Sequence, residues 1–460
     1  MLEKQNKIII VDNVPGQLEI LGKSFFENGL GCRTFEYDIS YDEPLKKVRI
    51  AFFDINLTEK VVDANYDSND QILANNTAVF NDLANAINQY ISKDNGPYVL
   101  IFWTANSEIV EAFKLYMRDP QRGFSDTASP ILIDCIDKTP FADENGEQGS
   151  LSEKVLELLN GNEKIKFLFD LEENAKNSGE NTLDRIYNIL PKDDTWGESQ
   201  QLFDNLDKVL SKIAASTLGF DHAKENPKKA VYEGLLPILN YEFLNSESNV
   251  NWNNIVNQLH QAGKPNDIVS PDINIQYKVN SLYHIENFEN QSKDVRGSVI
   301  EISKKNQRNL KSFGIENIDN WISQLLAIKD ANPVQQSRKS VILNGSKLIA
   351  IELSAACDFS NKKPRINKYI LGVLTSNLNN DIDKDLNLKN RPEACYHLGG
   401  CCFQHQNNNY HIWLNLNYVF GAKPDDSRFR NQLFILKKEV MDMLGNKYAS
   451  HISRIGITSL

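Results

Sequence analysis

Four short apolar runs, each ending abruptly on polar residues, constrain this chain most. They are Lys7-Ile-Ile-Ile-Val-Asp12-Asn13, Ala51-Phe-Phe-Asp54-Ile-Asn56-Leu57, Tyr98-Val-Leu-Ile-Phe-Trp103 before Thr104-Ala105, and Pro130-Ile-Leu-Ile-Asp-Cys-Ile136 before Asp137-Lys138-Thr139-Pro140. A run apolar at every position suits a parallel strand covered on both faces. Polar residues just past the carboxyl ends of such strands stand where open α/β sheets bind ligands. Helical patterns fill the intervals: Pro15–Asn28 with Leu18, Leu21 and Phe25, Ala78–Ser92 with Phe80, Leu83, Ile87 and Tyr90, and Ser107–Met117 with Val110 and Phe113. The spacing therefore predicts a doubly wound α/β domain with a five-stranded parallel sheet, ending at a polar break near 142–149. Residues 63–76 are expected to loop.

In order, the strand ends offer Asp12/Asn13, Asp54, Thr104 and Lys138, and this constellation resembles the receiver domain of two-component response regulators. The resemblance implies a receiver (flavodoxin-like) fold, Asp54 as phosphoacceptor, and Thr104 and Lys138 as phosphate contacts. It also implies a Mg²⁺ site at Asp12, Asn13, Asp54 and the backbone carbonyl of Asn56. The residue types suit that chemistry, because a hard cation takes oxygen ligands and offsets charge on a transferring phosphoryl group. Two positions depart from the family. Neutral Asn13 replaces a second acidic residue, and Cys135 stands where an aromatic switch residue is expected. Two readings stay open: a working phosphoswitch, and a degenerate receiver with weak metal binding that keeps its shape for docking.

At 460 residues the chain exceeds one ordinary core. Composition and pattern divide it into a receiver-like domain over 1–147, a helical connector over 148–279 and an α+β, β-rich domain over 280–460. The net charge of −11 argues against broad nucleic-acid binding. No apolar run approaches a membrane span, and Met1 leads straight into a strand without a signal-peptide pattern, so a cytoplasmic protein is expected. Six scattered cysteines read as reduced thiols.

The connector shows helical stripes in Ser152–Leu159, Phe167–Ala175, Thr182–Leu190, Glu198–Ser216 and Lys228–Leu244. Leu202, Leu206, Leu210 and Ile213 are expected to be core, and Pro237 to kink the last helix. In the third part, Gly297–Ile302, Ser340–Leu343, Lys347–Leu353, Tyr369–Leu374 and Tyr410–Tyr418 read as strands. Asn344-Gly345 reads as a hairpin turn, Ile318–Ile328 and Phe429–Tyr448 as helices, and the whole as a mixed domain or small twisted barrel. Along Tyr410–Tyr418, alternation predicts one covered face.

Two C-terminal clusters carry candidate chemistry. One is Cys357-Asp358, a nucleophile-type pair. The other is Cys395-Tyr-His397-Leu-Gly-Gly-Cys401-Cys402-Phe-Gln-His405, read as strand–turn–strand. Its spacing lacks CxxC and HxxxH, so no zinc is expected there. The segments Glu352–Ser360 and Arg365–Leu374, with the final helix and Ser453-Arg-Ile-Gly456, resemble the tail of receiver-like proteins in prokaryotic conflict loci. That resemblance implies an anti-phage setting and a GHKL-type ATPase as partner. Two function classes follow: an adaptor acting through a partner, or a receiver-gated effector enzyme of nuclease or toxin type. The adaptor is favoured, because no acid–base or nucleophile set converges beyond the strand ends.

Overall fold

The computed structural model describes residues 7–27, 29–63, 65–104, 107–137, 140, 151–194, 196–286, 292–303, 310–354, 366–376 and 378–453. The chain divides into two compact units, Met1–Glu180 with Phe243–Gln261, and Asn181–Glu242 with Ala262–Leu460.

In the first unit the elements run β1 (Ile8–Asp12), α1 (Pro15–Glu27), β2 (Arg33–Glu36), β3 (Ile50–Asp54), α2 (Asn69–Asn75), α3 (Thr77–Tyr90), β4 (Val99–Trp103), α4 (Ser107–Arg118) and β5 (Leu132–Ile136). The strands form one all-parallel sheet in the order β2-β1-β3-β4-β5, the order of flavodoxin-like doubly wound sheets. Every residue of β1, β3 and β4 is buried, which is why these runs carry no polar alternation. Ile9, Val11, Ala51, Phe53, Leu100 and Phe102 pack under α3 and α4. Ile8, Ile10, Phe52, Ile101 and Trp103 pack on the other face against Leu21 and Phe25 of α1. Each large side chain removed from water contributes about 1.5–3 kcal/mol, so the two faces together drive this layer.

Two local features lie beyond the helices that the sequence predicts. Residues 37–49 join β2 to β3 without a helix, and aromatic rings cover that flank: Phe35, Tyr37 and Tyr41 pack on Tyr90 with centroids 5.2, 6.5 and 4.5 Å away. The expected loop at 63–76 contains α2. It is capped by Ser68, whose side chain accepts from the Gln71 amide, and closed by Asn76, which exchanges hydrogen bonds with the Asp63 backbone at 2.8 and 2.7 Å. Only Ile72 of α2 is buried, too little apolar content to show a period.

The helical stretch comprises α5 (Leu151–Asn160), α6 (Glu163–Ile189), α7 (Gln200–Leu218), α8 (Phe220–Glu225), α9 (Pro227–Leu244), α10 (Trp252–Ile255), α11 (Asn257–Gln261) and α12 (Ile273–His284). The two runs read separately at 167–175 and 182–190 are one helix, and α9 continues through Pro237. Small residues fill the place where α7 and α9 meet: Ala214, Ala223 and Ala230 are buried there. A Cβ on Gly234 would lie 2.2 Å from Ile213 Cγ2. The stripe Leu202, Leu206, Leu210 and Ile213 is accordingly half-buried, not the full core its spacing suggested.

The second unit carries β6 (Ile285–Glu286), β7 (Ser298–Ile302), α13 (Ile318–Leu326), α14 (Pro333–Asn344), β8 (Ser346–Glu352), β9 (Asn367–Thr375), β10 (Cys395–His405), β11 (Asn408–Ala422), β12 (Phe429–Leu436) and α15 (Lys438–Ile452). The strands form an antiparallel half-barrel sheet in the order β10-β11-β9-β8-β7-β12-β6, so it is open and not a closed barrel. One face packs on Ile322, Leu325 and Leu326 of α13, the other on Val440, Met441 and Leu444 of α15.

Ser340–Leu343 lies in α14 and is not a strand. Asn332 caps that helix, and Gly345 ends it by donating to the Val341 carbonyl at 3.1 Å, so Asn344-Gly345 is a helix end. Phe429–Leu436 is a strand paired with β7, and the helix begins only at Lys438. Cys395–His405 is one strand with a bulge between His397 and Cys402, and the turn comes at Gln406-Asn407, both at positive φ, as a two-residue hairpin requires. Both faces of β11 are covered, since His411 and Trp413 are buried as well as Ile412 and Leu414. Among the described residues, no helix is long and apolar enough to cross a membrane.

Candidate functional site: the acidic edge of the parallel sheet

The β1–β3 register pairs Val11 with Phe53, which places Asp12 and Asp54 side by side one step further on. Asp54 in turn pairs with Trp103 and Trp103 with Ile136, so Thr104 follows at the same carboxyl edge. Asp12 and Asp54 are 0% and 6% exposed. Two buried carboxylates at neighbouring strand ends offer oxygen ligands to one side of the sheet. This edge therefore favours a cation.

Local hydrogen bonds fix the acidic groups. Asp12 Oδ1 accepts from the Val14 amide at 2.9 Å, turning the chain into α1, while its carbonyl accepts from the Tyr37 amide at 2.9 Å. Asp54 Oδ1 accepts from the Asn56 amide at 3.3 Å. The Asn56 side chain does not turn to the edge alone: its Oδ1 accepts from the Val62 amide at 2.9 Å. Further along this loop, Thr58 Oγ1 and Lys60 Nζ hold Asp82 Oδ2 at 3.2 and 2.8 Å. The Thr104 amide donates to the Ile136 carbonyl at 3.1 Å, tying β4 to β5 at the edge. Asn13 is exposed beside the two carboxylates. Cys135 is half-buried, and burial pushes its thiol pKa up. Lys138 lies outside the described residues.

The acidic edge supplies two carboxylate donors, which suit a hard cation held weakly. Among the described residues, no group of three or more His, Cys, Asp or Glu side chains is placed to hold a metal ion.

The C-terminal cysteine/histidine stretch has a different character. Cys395 is buried and its thiol pKa is pushed up to about 12 by burial. His397 stacks on Trp413 with centroids 4.0 Å apart, and its Nε2 lies 3.2 Å from Nδ1 of His411. Burial drives the His411 pKa down to about 4, keeping that imidazole neutral. Burial also raises Tyr277, which hydrogen-bonds Cys402. Protonated thiols and a neutral, ring-packed imidazole make a polar core, not a nucleophile. Around it α12 is stitched to β10: Asn280 Nδ2 donates to the Cys402 carbonyl at 2.9 Å, and Ser281 Oγ to that of Gln404 at 2.9 Å. Cys357 and Asp358 lie outside the described residues.

Family models, curated proteins and solved structures offer no match to this chain. The acidic edge thus stands on its own geometry. One residue there went unread in the sequence. Trp103 sits level with Asp54, and the period-2 parity of β4 could have placed it on the same face.

Proposed function

We propose that this chain is a signalling adaptor whose N-terminal unit is a receiver-like module and which acts through a protein partner. The observation that carries the reading is the register that sets buried Asp12 and Asp54, with Thr104 beside them, at the carboxyl edge of a β2-β1-β3-β4-β5 parallel sheet. Asp12, Asp54 and the Asn56 carbonyl would hold Mg²⁺, whose charge would offset that of a phosphoryl group. Asp54 is the carboxylate such a group would join, with Thr104 and Lys138 as its contacts. Neutral Asn13 removes one charge from that shell, so the module works chiefly as a docking shape.

The helical stretch supports a partner. Leu183, Ile189, Trp196, Phe220, Tyr232, Leu236 and Tyr283 are all exposed there, and large apolar groups in water are what a partner would cover. By the resemblance of its tail, the partner is a GHKL-type ATPase in an anti-phage locus. Tagged chain purified from its host with that ATPase co-expressed tests this. The expected result is a co-purifying complex with wild type and with Asp54→Asn, lost in Tyr232→Asp/Leu236→Asp. A chain that purifies alone, yet is toxic until Asp358→Asn is introduced, would favour the effector-enzyme reading.

A further inference from the structure

Among the described residues, Trp103 is a large group at the acidic edge that the proposed function leaves unused. It closes β4, pairs with Asp54 across the sheet and, by strand parity, lies on the face shared by Ile10 and Phe52. Its side chain is 3% exposed and stacks on Phe52, with ring centroids 4.7 Å apart and planes at 15°. Its Nε1–H is buried and meets no hydrogen-bond acceptor among the described residues. A buried donor without a partner is uncommon in folded proteins and invites an explanation beyond packing, since phenylalanine would fill this position without stranding an N–H.

The apolar cluster that holds Trp103 runs on to Leu151 and Val155 of α5 and Ile165 of α6. α6 is fastened to the opposite end of the sheet by Glu172, whose carboxylate lies 2.6 Å from Arg49 Nε and 3.2 Å from Lys7 Nζ. On the other face Phe102, one residue earlier in β4, meets Phe113 of α4 edge-on with centroids 5.3 Å apart. There the residue three positions before Lys138 is Cys135, a short half-buried thiol, and β5 is only half-buried throughout. An aromatic ring that stacks on Phe52 beside a charged edge, in a cluster continuous with α5 and α6, can transmit displacement, because close-packed cores shift between discrete arrangements instead of deforming smoothly.

We propose that Trp103 couples the acidic edge to α5 and α6: a change of charge at Asp54 moves the indole, and the indole moves those helices and not α4. The inference rests on reading the edge as a receiver-like site, and it names the face through which that site is read.

Amide hydrogen exchange on the full chain tests it, comparing wild type, Asp54→Asn, Trp103→Phe and the double variant, with and without millimolar Mg²⁺. Trp103 emission, taken as wild type minus Trp103→Phe, is followed in parallel, and Mg²⁺ binding is measured separately by titration calorimetry. Asp54→Asn is expected to change exchange in 151–176 by about threefold or more and to shift the Trp103 emission, with 107–118 left as in wild type. Trp103→Phe, which keeps the aromatic packing, is expected to abolish the change in 151–176. An Asp54→Asn response confined to 107–118 and 132–136, no response in 151–176, or one that survives Trp103→Phe would each overturn the coupling. Absence of Mg²⁺ heat in both wild type and Asn13→Asp would count against the receiver-like reading alone, because the Asp54→Asn arm needs no metal.

Discussion

Asn13 is exposed next to two buried carboxylates, and under the proposed function the exchange of one charge at this position would set what the edge can hold. Asp12 and Asp54 offer two carboxylates to a cation, and a third would add the attraction that Mg²⁺ sites depend on. Asn13→Asp is expected to tighten Mg²⁺ binding about tenfold, roughly 1.4 kcal/mol. Titration calorimetry on the two proteins reads this directly, and equal affinities would show that position 13 lies outside the shell. In the second unit, His411 makes a prediction of opposite chemistry. Its folded pKa of about 4 lies below the value near 6.5 of an unfolded histidine. The unfolded chain therefore binds the proton first. The stability owed to neutral His411 is complete above pH 6.5 and is lost as pH falls toward 4, by up to about 3 kcal/mol. Urea unfolding at stepped pH should show this slope in wild type and a shallower one in His411→Gln. Identical slopes would mean that the imidazole takes up its proton without cost.

Which elements could be read in advance depended on how much of each was buried. β1, β3 and β4 were legible because burial on both faces leaves an unbroken apolar run that stops at a polar edge. α2 was not, since Ile72 alone anchors it. Ser340–Leu343 looked like a strand because a short apolar run has no period of its own; the helix was announced by Asn332 and Pro333, seven and more residues upstream. Leu433, Leu436, Val440 and Leu444 fall at helical spacing across a strand and a helix, and only the pairing of β12 with β7 separates them. Close strand approach was equally invisible. A Cβ on Gly372 of β9 would sit 2.5 Å from the Trp413 carbonyl oxygen and 2.6 Å from Leu414 Cδ2. Gly372→Ala is expected to cost about 1–3 kcal/mol, because a backbone atom cannot step aside. Gly16→Ala in α1 meets nothing within 4 Å and is expected to be neutral or stabilising by up to about 1 kcal/mol. Urea midpoints for the two variants, shifted in opposite directions or with only the first displaced, would bear this out; a silent Gly372→Ala would refute it.

At the scale of the molecule, the chain joins a compact parallel sheet with a buried acidic edge to helices that leave large apolar groups in water, and to an antiparallel sheet that buries Cys395, Cys402 and His411. Of the residues singled out in sequence, Asp12, Asp54 and Thr104 do converge, because register carries residues far apart in the chain to one edge. Cys395 and His397 share a strand face as expected, yet burial and ring stacking give them a structural role that spacing could not reveal. Under the proposed function, the acidic edge would keep the shape of a receiver site while lacking, at Asn13, the charge that makes one efficient. Intact-mass measurement after acetyl phosphate treatment in millimolar Mg²⁺ tests this most directly, on wild type, Asn13→Asp and Asp54→Asn. The predicted result is a largely unmodified wild type, with phosphate added to Asn13→Asp and none to Asp54→Asn. Stoichiometric phosphorylation of the wild type that disappears in Asp54→Asn would contradict the account and make this chain a working phosphoswitch.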